Sequence, residues 1–267
     1  MTWFSIHFYP LEAENVFLTR AVKPFLEQYI WPTKGARAFF VRYDDEKGRH
    51  IRLRLRGDAD WVAETLRPAL KGWFTERGEW EEATYLPEKE RFGGEETLAL
   101  AEEYFHVSTR VVLERLAHDT HTYGDSMFDA LRMHTTTIFA AGFSREKAGW
   151  YFEQLCHQWL ALFFQSSDAA DAGLQSTLKM QFEKNFEPQQ GELQAALGEL
   201  WKALEAEKFD TKQPEWLRWL RGNQLILKEF GESLDKVLPS LLHLTNNRLG
   251  VNNQDEVYLN YILSKVL

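Results

Sequence analysis

Along the first 90 residues the apolar positions alternate between a period of two and a helical period. WFSIHFY (3–9) is a run of strand formers that ends at Pro10. Residues 11–30 carry Leu11, Val16, Phe17, Val22, Phe25 and Leu26 at helical spacing, and Pro24 predicts a kink or a split. RAFFVRY (37–43) and HIRLRLRG (50–57) predict two strands joined by the turn DDEKG (44–48), where Gly48 is free to take a positive φ. Residues 58–77 predict a helix with Asp58 or Asp60 as N-cap, and EWEEATYLP (79–87) a fourth strand stopped by Pro87. The order β-α-β-β-α-β is that of the ferredoxin-like split βαβ pattern.

Beyond residue 92 the pattern turns helical. Leu98, Ala101, Phe105, Val112 and Leu116 recur at helical spacing within 95–118. Further helices are predicted over 126–142, 144–166, 174–186, 190–208, 214–235, 236–248 and 253–266, with SSDAADAG (166–173) as a loop. The expected class is therefore α+β: a ferredoxin-like α/β module over 1–92 and a mostly α-helical module over 93–267. No Pro/Gly/Ser-rich linker separates them, so one compact unit is expected.

Composition narrows the function classes. The chain has 267 residues, 44% of them hydrophobic, with 10 Trp and 19 Phe, so a ring-rich core is expected. A formal charge of −9 argues against direct nucleic-acid binding, which needs a basic surface. The single cysteine, Cys156, permits no disulfide within the chain and fits a reducing cytoplasm. No signal peptide and no apolar run of roughly 18 residues is present, so no membrane span is expected. His118 and His121 are spaced to clip a metal, but no third ligand pattern supports one, and neither a metal nor another cofactor is expected.

The strand HIRLRLRG carries the clearest candidate chemistry. Side chains alternate across a strand, so Ile51, Leu53 and Leu55 share one face and Arg52, Arg54 and Arg56 the other. Arg42 on the neighbouring strand is expected to join the arginine face. Two readings fit: a solvated strand face, or an anion site in which guanidinium forks hold a carboxylate or a developing oxyanion.

YLPEKERFGGEET (85–97) lacks the spacing of a phosphate loop. Pro87 ends a strand, Gly93–Gly94 make a turn, and Glu95–Glu96 suit the first turn of a helix. That leaves Tyr85, Glu88 and Arg91 unexplained. Tyr-x-x-Glu-x-x-Arg-Phe-Gly-Gly, followed by Ala101-Glu102 and Phe105-His106-x-Ser108, resembles the signature of the C-terminal domain of class I lantibiotic dehydratases. The same domain occurs alone as the thiopeptide-type bacteriocin biosynthesis protein. The Trp3 strand, FFVRYDDEKGRHIRLRLRG (39–57) and HLTNNRLGVNNQDEVYLNYIL (243–263) resemble further blocks of that family in the same order. Phe92 stands where the family more often has Tyr.

The resemblance implies a lyase that eliminates glutamate from glutamylated Ser or Thr of a precursor peptide, leaving dehydroalanine or dehydrobutyrine. It implies a separate partner for the glutamyl-tRNA-dependent glutamylation step, and it leaves a homodimer open. By motif position Arg54, Arg91 and His243 match the family's catalytic centre. Arg54 and Arg91 would bind carboxylates and the oxyanion, and His243 would move the proton. Glu88 would orient an arginine, and Asn247, one turn after His243, would hold its tautomer. Arg52, Tyr85, Arg42 and Arg248 complete the expected substrate-binding set. Three alternatives stay open: a [4+2] cycloaddition that builds the pyridine of thiopeptides, a non-catalytic peptide-binding subunit, and a partner in amino-acid ligation onto carrier peptides.

Overall fold

The computed structural model describes residues 1–118, 120–163, 169–208 and 212–267. Strand β1 (Thr2–Pro10) leads into helix α1 (Glu14–Phe17), a π turn (Leu18–Val22) and α2 (Lys23–Tyr29). The hairpin β2 (Arg37–Asp45) and β3 (Gly48–Gly57) follows, then α3 (Ala59–Trp61), a second π turn (Val62–Leu66), α4 (Arg67–Phe74) and β4 (Gly78–Ala83). A 3-10 turn (Lys89–Phe92) precedes α5 (Glu95–Leu116). Then come α6 (Tyr123–Ala140), α7 (Arg145–Phe163), α8 (Ala169–Phe186), α9 (Gln190–Glu205), α10 (Pro214–Leu227), α11 (Leu234–Leu249) and α12 (Asn253–Val266).

The two π turns answer the proline question. Pro24 and Pro68 each fall at the start of an α segment directly after a π turn. The missing proline N–H thus falls where the hydrogen-bond ladder has already shifted, and each run stays helical instead of splitting. Asp58 is the N-cap of its helix, accepting from the backbone N–H of Asp60 and Trp61.

The sheet is antiparallel throughout, in the order β2-β3-β1-β4. Phe4, Ile6 and Phe8 of β1 stand opposite Leu55, Leu53 and Ile51 of β3, and all six are buried. That face packs on the first two helical runs through a cluster of rings: Phe8 lies 4.4 Å from Phe17 and 5.1 Å from Phe74, and Phe25 lies 5.3 Å from Phe74. Each fully buried phenylalanine contributes roughly 2–3 kcal/mol of apolar burial.

Strand β4 ends at Ala83, four residues before the expected stop at Pro87. Residues 84–88 leave the ladder, and Tyr85 packs instead against Trp3 (5.1 Å) and Phe39 (5.8 Å) on the arginine face. Aromatic packing there overrides the strand pattern of the sequence.

The chain divides into two units, residues 1–122 with 225–250, and residues 123–224 with 251–267. The expected division at residue 92 is displaced because α5 and α11 serve the sheet. Strand β2 is an edge, and side chains satisfy its outer backbone groups. The Ala38 N–H donates to His106 Nδ1 (3.1 Å) and the Phe40 N–H to Thr109 Oγ1 (3.3 Å), both on α5. The Asn247 amide of α11 accepts from the Arg42 N–H and donates to the Arg42 carbonyl, each at 2.9 Å.

The second unit holds α6 to α9, most of α10, and α12. Cys156, Leu160, Phe182 and Val257 form part of its core. Arg145 Nη2 donates to the Val266 carbonyl (2.7 Å) at the end of α12, and Trp219 Nε1 to the Met133 carbonyl (3.0 Å). Residues 166–168 of the expected loop lie outside the described residues, and α8 already begins at Ala169, inside the stretch expected to be loop. The helix expected over 214–235 breaks after Leu227 into a 3-10 stretch in which Gly231 has φ 53° and ψ −131°. No described helix is long and apolar enough to cross a membrane.

Candidate functional site

Arg52, Arg54 and Arg56 share one face of β3, and their surroundings differ sharply. Arg52 stacks on Tyr43, 3.2 Å from its ring centre, donates from Nε to His50 Nε2 (3.1 Å) and stands 3.7 Å from the Asp45 carboxylate. Arg56 stands 3.5 Å from Glu102 and 3.3 Å from Glu103. Arg54, between them, is 8% exposed and has no carboxylate within ion-pair distance among the described residues. Its Nη1 is buried without a hydrogen-bond partner. Burial and the neighbouring Arg52 charge push its pKa down to about 10, opposed by Tyr85. An uncompensated buried cation costs roughly several kcal/mol even after the protein relaxes around it, so an anion bound there would offset that cost.

Aromatic rings wall the arginine. The Arg54 guanidinium lies 5.6 Å from the Tyr85 ring centre. Tyr85 touches Trp3 and Phe39, Phe39 lies 5.2 Å from Phe105, and Phe105 lies 5.1 Å from Phe92. Burial and the adjacent Glu102 raise the Tyr85 phenol above its usual range, so it stays neutral. Burial likewise raises Glu102, while the nearby Tyr85, Arg56 and Trp3 pull it back. Under these rings Arg248 of α11 is fully buried, 4.8 Å from the Phe105 ring centre, with Nη1 donating to the Leu244 carbonyl (3.0 Å). Burial lowers its pKa to about 9, against the opposing influence of Tyr104 and Tyr85.

The stretch after β4 brings Arg91 to α11. Arg91 Nη1 donates to Glu88 Oε2 (3.0 Å), and its Nε donates to Ser240 Oγ (3.1 Å). His243 is half-buried three residues after Ser240, on the same side of the helix. Gly93, at φ 84°, closes the 3-10 turn in a left-handed conformation, and Gly94, at φ 98°, opens α5. A Cβ on Gly93 would come within 2.6 Å of Thr97 Oγ1. These two glycines set where Arg91 leaves the chain.

Arg91 thus reaches α11 at Ser240, one turn before His243. A chain of ring contacts, Tyr85 to Phe39 to Phe105 to Phe92, runs from Arg54 to Arg91, which lies 5.7 Å from the Phe92 ring centre. Two expected residues belong elsewhere. Arg42 pairs with Ile51 in the register, so it lies on the sheet face opposite the β3 arginines, bound to Glu14 (2.8 Å), Asn15 (2.6 Å) and the Arg248 carbonyl. Alternation puts it there, since Ala38, Phe40 and Arg42 share the apolar face. The Asn247 amide is spent on the Arg42 backbone and is not available to set the tautomer of His243.

Sequence reasoning missed β1 as a site strand. Trp3, Ser5 and His7 stand opposite Arg56, Arg54 and Arg52. Burial, then the Arg54, Arg52 and His50 charges, push the His7 pKa down to about 4 against the pull of Glu81, so its ring is neutral at pH 7. Alternation in WFSIHFY carried this signal, because its odd positions must face whatever side the arginines face. A cavity of about 760 Å³ near Glu12, Trp73 and Arg77 shares no residue with this site. Among the described residues no group of three or more His, Cys, Asp or Glu could hold a metal ion.

Three solved structures are similar in fold. The tRNA-dependent lantibiotic dehydratase MibB from Microbispora sp. 107891 superposes with a TM-score of 0.68 at 19% identity, covering 99% of this chain and 28% of that one. The pyridine synthase TbtD from thiomuracin biosynthesis gives a TM-score of 0.74 at 14% identity, covering 100% of this chain and 97% of that one. TsrL gives 0.65 at 15% identity, covering 99% and 93%. The chain therefore spans just over a quarter of MibB. No sequence among the curated proteins matches it. The family described as the C-terminal domain of lantibiotic biosynthesis dehydratases matches residues 3–267. With that match running almost end to end, the chain belongs to the lantibiotic dehydratase C-terminal domain family.

Proposed function

We propose that this chain acts in the biosynthesis of a ribosomally made, modified peptide, eliminating glutamate from glutamylated Ser and Thr of the precursor. A separate glutamyl-tRNA-dependent protein would make the glutamyl ester first. In the elimination the Cα–H bond breaks and its proton passes to a base. The Cα–Cβ double bond forms as the Cβ–O bond breaks, and that electron pair leaves on the glutamate carboxylate. Dehydroalanine results from Ser and dehydrobutyrine from Thr.

The observation that carries the reading is Arg54, a rigid, buried guanidinium with no carboxylate of its own beside two arginines that have theirs. It is suited to receive the leaving carboxylate, where charge develops. Arg91, oriented by Glu88 and Ser240, is suited to the peptide oxyanion, and His243, one turn after Ser240 on α11, to the Cα proton. The strand order around this face supports reading the first module as ferredoxin-like.

The test supplies a glutamylated peptide and follows loss of glutamate by mass spectrometry. The wild-type chain is expected to convert it, with His243→Ala and Arg91→Ala strongly impaired. If both variants keep the wild-type rate, this assignment of roles is wrong. The fold likeness to TbtD motivates a control with a dehydroalanine-rich peptide. Macrocycle formation there, with no glutamate loss from the ester, would favour cycloaddition instead.

A further inference from the structure

Ser5 of β1 stands directly opposite Arg54 in the sheet register, so the two side chains emerge on the same face. Ser5 is 2% exposed, and its Oγ is buried without a hydrogen-bond partner. Arg54 Nη1 is in the same condition. Buried polar groups are almost always satisfied, and an unpaired hydroxyl beside an unpaired guanidinium on one cross-strand pair calls for a shared partner. The guanidinium only donates and the hydroxyl can donate too, so an acceptor with two sites would satisfy both.

The surrounding charges define its class. Arg52 is engaged by Asp45 and His50, and Arg56 by Glu102 and Glu103. His7, facing Arg52, Arg54, His50 and Glu81, is neutral at pH 7. Among the described residues, only Arg54 of the three β3 arginines lacks a carboxylate. Arg248, also without one, lies against the Phe39 and Phe105 rings. Arg54 is thus the one uncompensated charge facing Ser5, which suits a monoanion better than a dianion.

We infer that Ser5 Oγ and Arg54 Nη1 bind the two oxygens of a single carboxylate, making β1 the second half of the leaving-group subsite. Only the naming of that carboxylate as glutamate rests on the elimination reading. A carboxylate has two oxygens, each able to accept more than one hydrogen bond, so it can take one bond from the Arg54 guanidinium and one from the Ser5 hydroxyl.

The experiment follows the Arg54 side-chain Nε–H resonance by NMR while the protein is titrated with L-glutamate or with inorganic phosphate, in wild type and in Ser5→Ala. Melting temperatures are recorded alongside. Glutamate is expected to move the wild-type resonance, and phosphate to move it less. Ser5→Ala should weaken glutamate binding about tenfold, the worth of one hydrogen bond to a charged group. It should melt at or above the wild-type temperature, because it removes an unpaired hydroxyl. The inference is overturned if glutamate leaves the wild-type resonance in place, if Ser5→Ala binds as wild type, or if phosphate binds as well as glutamate. A lower melting temperature in Ser5→Ala would also overturn it, by making Ser5 a structural residue. Should the intact chain fail to eliminate glutamate while Ser5-dependent binding holds, the subsite stands and the elimination reading falls.

Discussion

Arg54 is held at a cost to the free protein that function would explain. If its charge is uncompensated, Arg54→Met should raise stability by about 1 kcal/mol or more in urea unfolding while slowing turnover about 10²–10³-fold. A destabilised Arg54→Met would mean the guanidinium is structurally satisfied. His7 and His106 act through their protons. Both pKa values are pushed down to about 4, largely by burial. Unfolding raises each toward about 6.5, so the unfolded chain binds more protons between these values. Stability is therefore complete above about pH 6.5 and falls as pH drops toward 4. His106→Asn, which keeps an acceptor for the Ala38 N–H, should melt with a shallower dependence on pH across that window. An unchanged slope would remove His106 from the account. The alternation of HIRLRLRG was enough to put Arg54 on a polar face. Its lack of a carboxylate was not legible, since that depends on Asp45, Glu102 and Glu103 reaching its neighbours instead.

Among the elements, β2 shows how an edge strand is closed by side chains. The Asn247 amide makes two hydrogen bonds to the Arg42 backbone across 205 positions of sequence. Asn247→Ala would leave both groups under-satisfied, and should cost about 1–3 kcal/mol in chemical denaturation. A loss below a few tenths would mean that water replaces the amide. Gly93 has a different constraint: φ 84° and a close approach to Thr97. Gly93→Ala should destabilise by about 1 kcal/mol or more and should slow elimination by displacing Arg91. The sequence placed both hairpin strands, the glycine turn and most helices within a few residues. It misjudged β4 because Tyr85 prefers Trp3 and Phe39 to a place in the ladder. It misjudged Arg42 although alternation with Ala38 and Phe40 already put it on the apolar face, and Asn247 because its partner, the β2 edge, is remote in sequence.

For the molecule as a whole, charge and organisation set the limits. The net charge of −9 leaves little for a phosphate backbone to bind. An electrophoretic mobility assay with tRNA at about 0.15 M salt is expected to show no complex at micromolar protein. A stable complex would contradict the assignment of glutamyl-tRNA to a separate partner. The unit boundaries were hidden from the sequence because α11 returns to the sheet unit after about a hundred residues of the other unit. Every residue proposed for the site, from Ser5 to Arg248, lies in that first unit.

The central claim is that Arg54 receives the leaving carboxylate. The most direct measurement is the single-turnover rate of glutamate loss from a glutamylated peptide, by wild type and by Arg54→Ala at saturating protein. The expected result is a fall of about 10²–10³-fold in the elimination rate, as for other losses of a charge-stabilising donor. An Arg54→Ala chain that eliminates glutamate at the wild-type rate would contradict it.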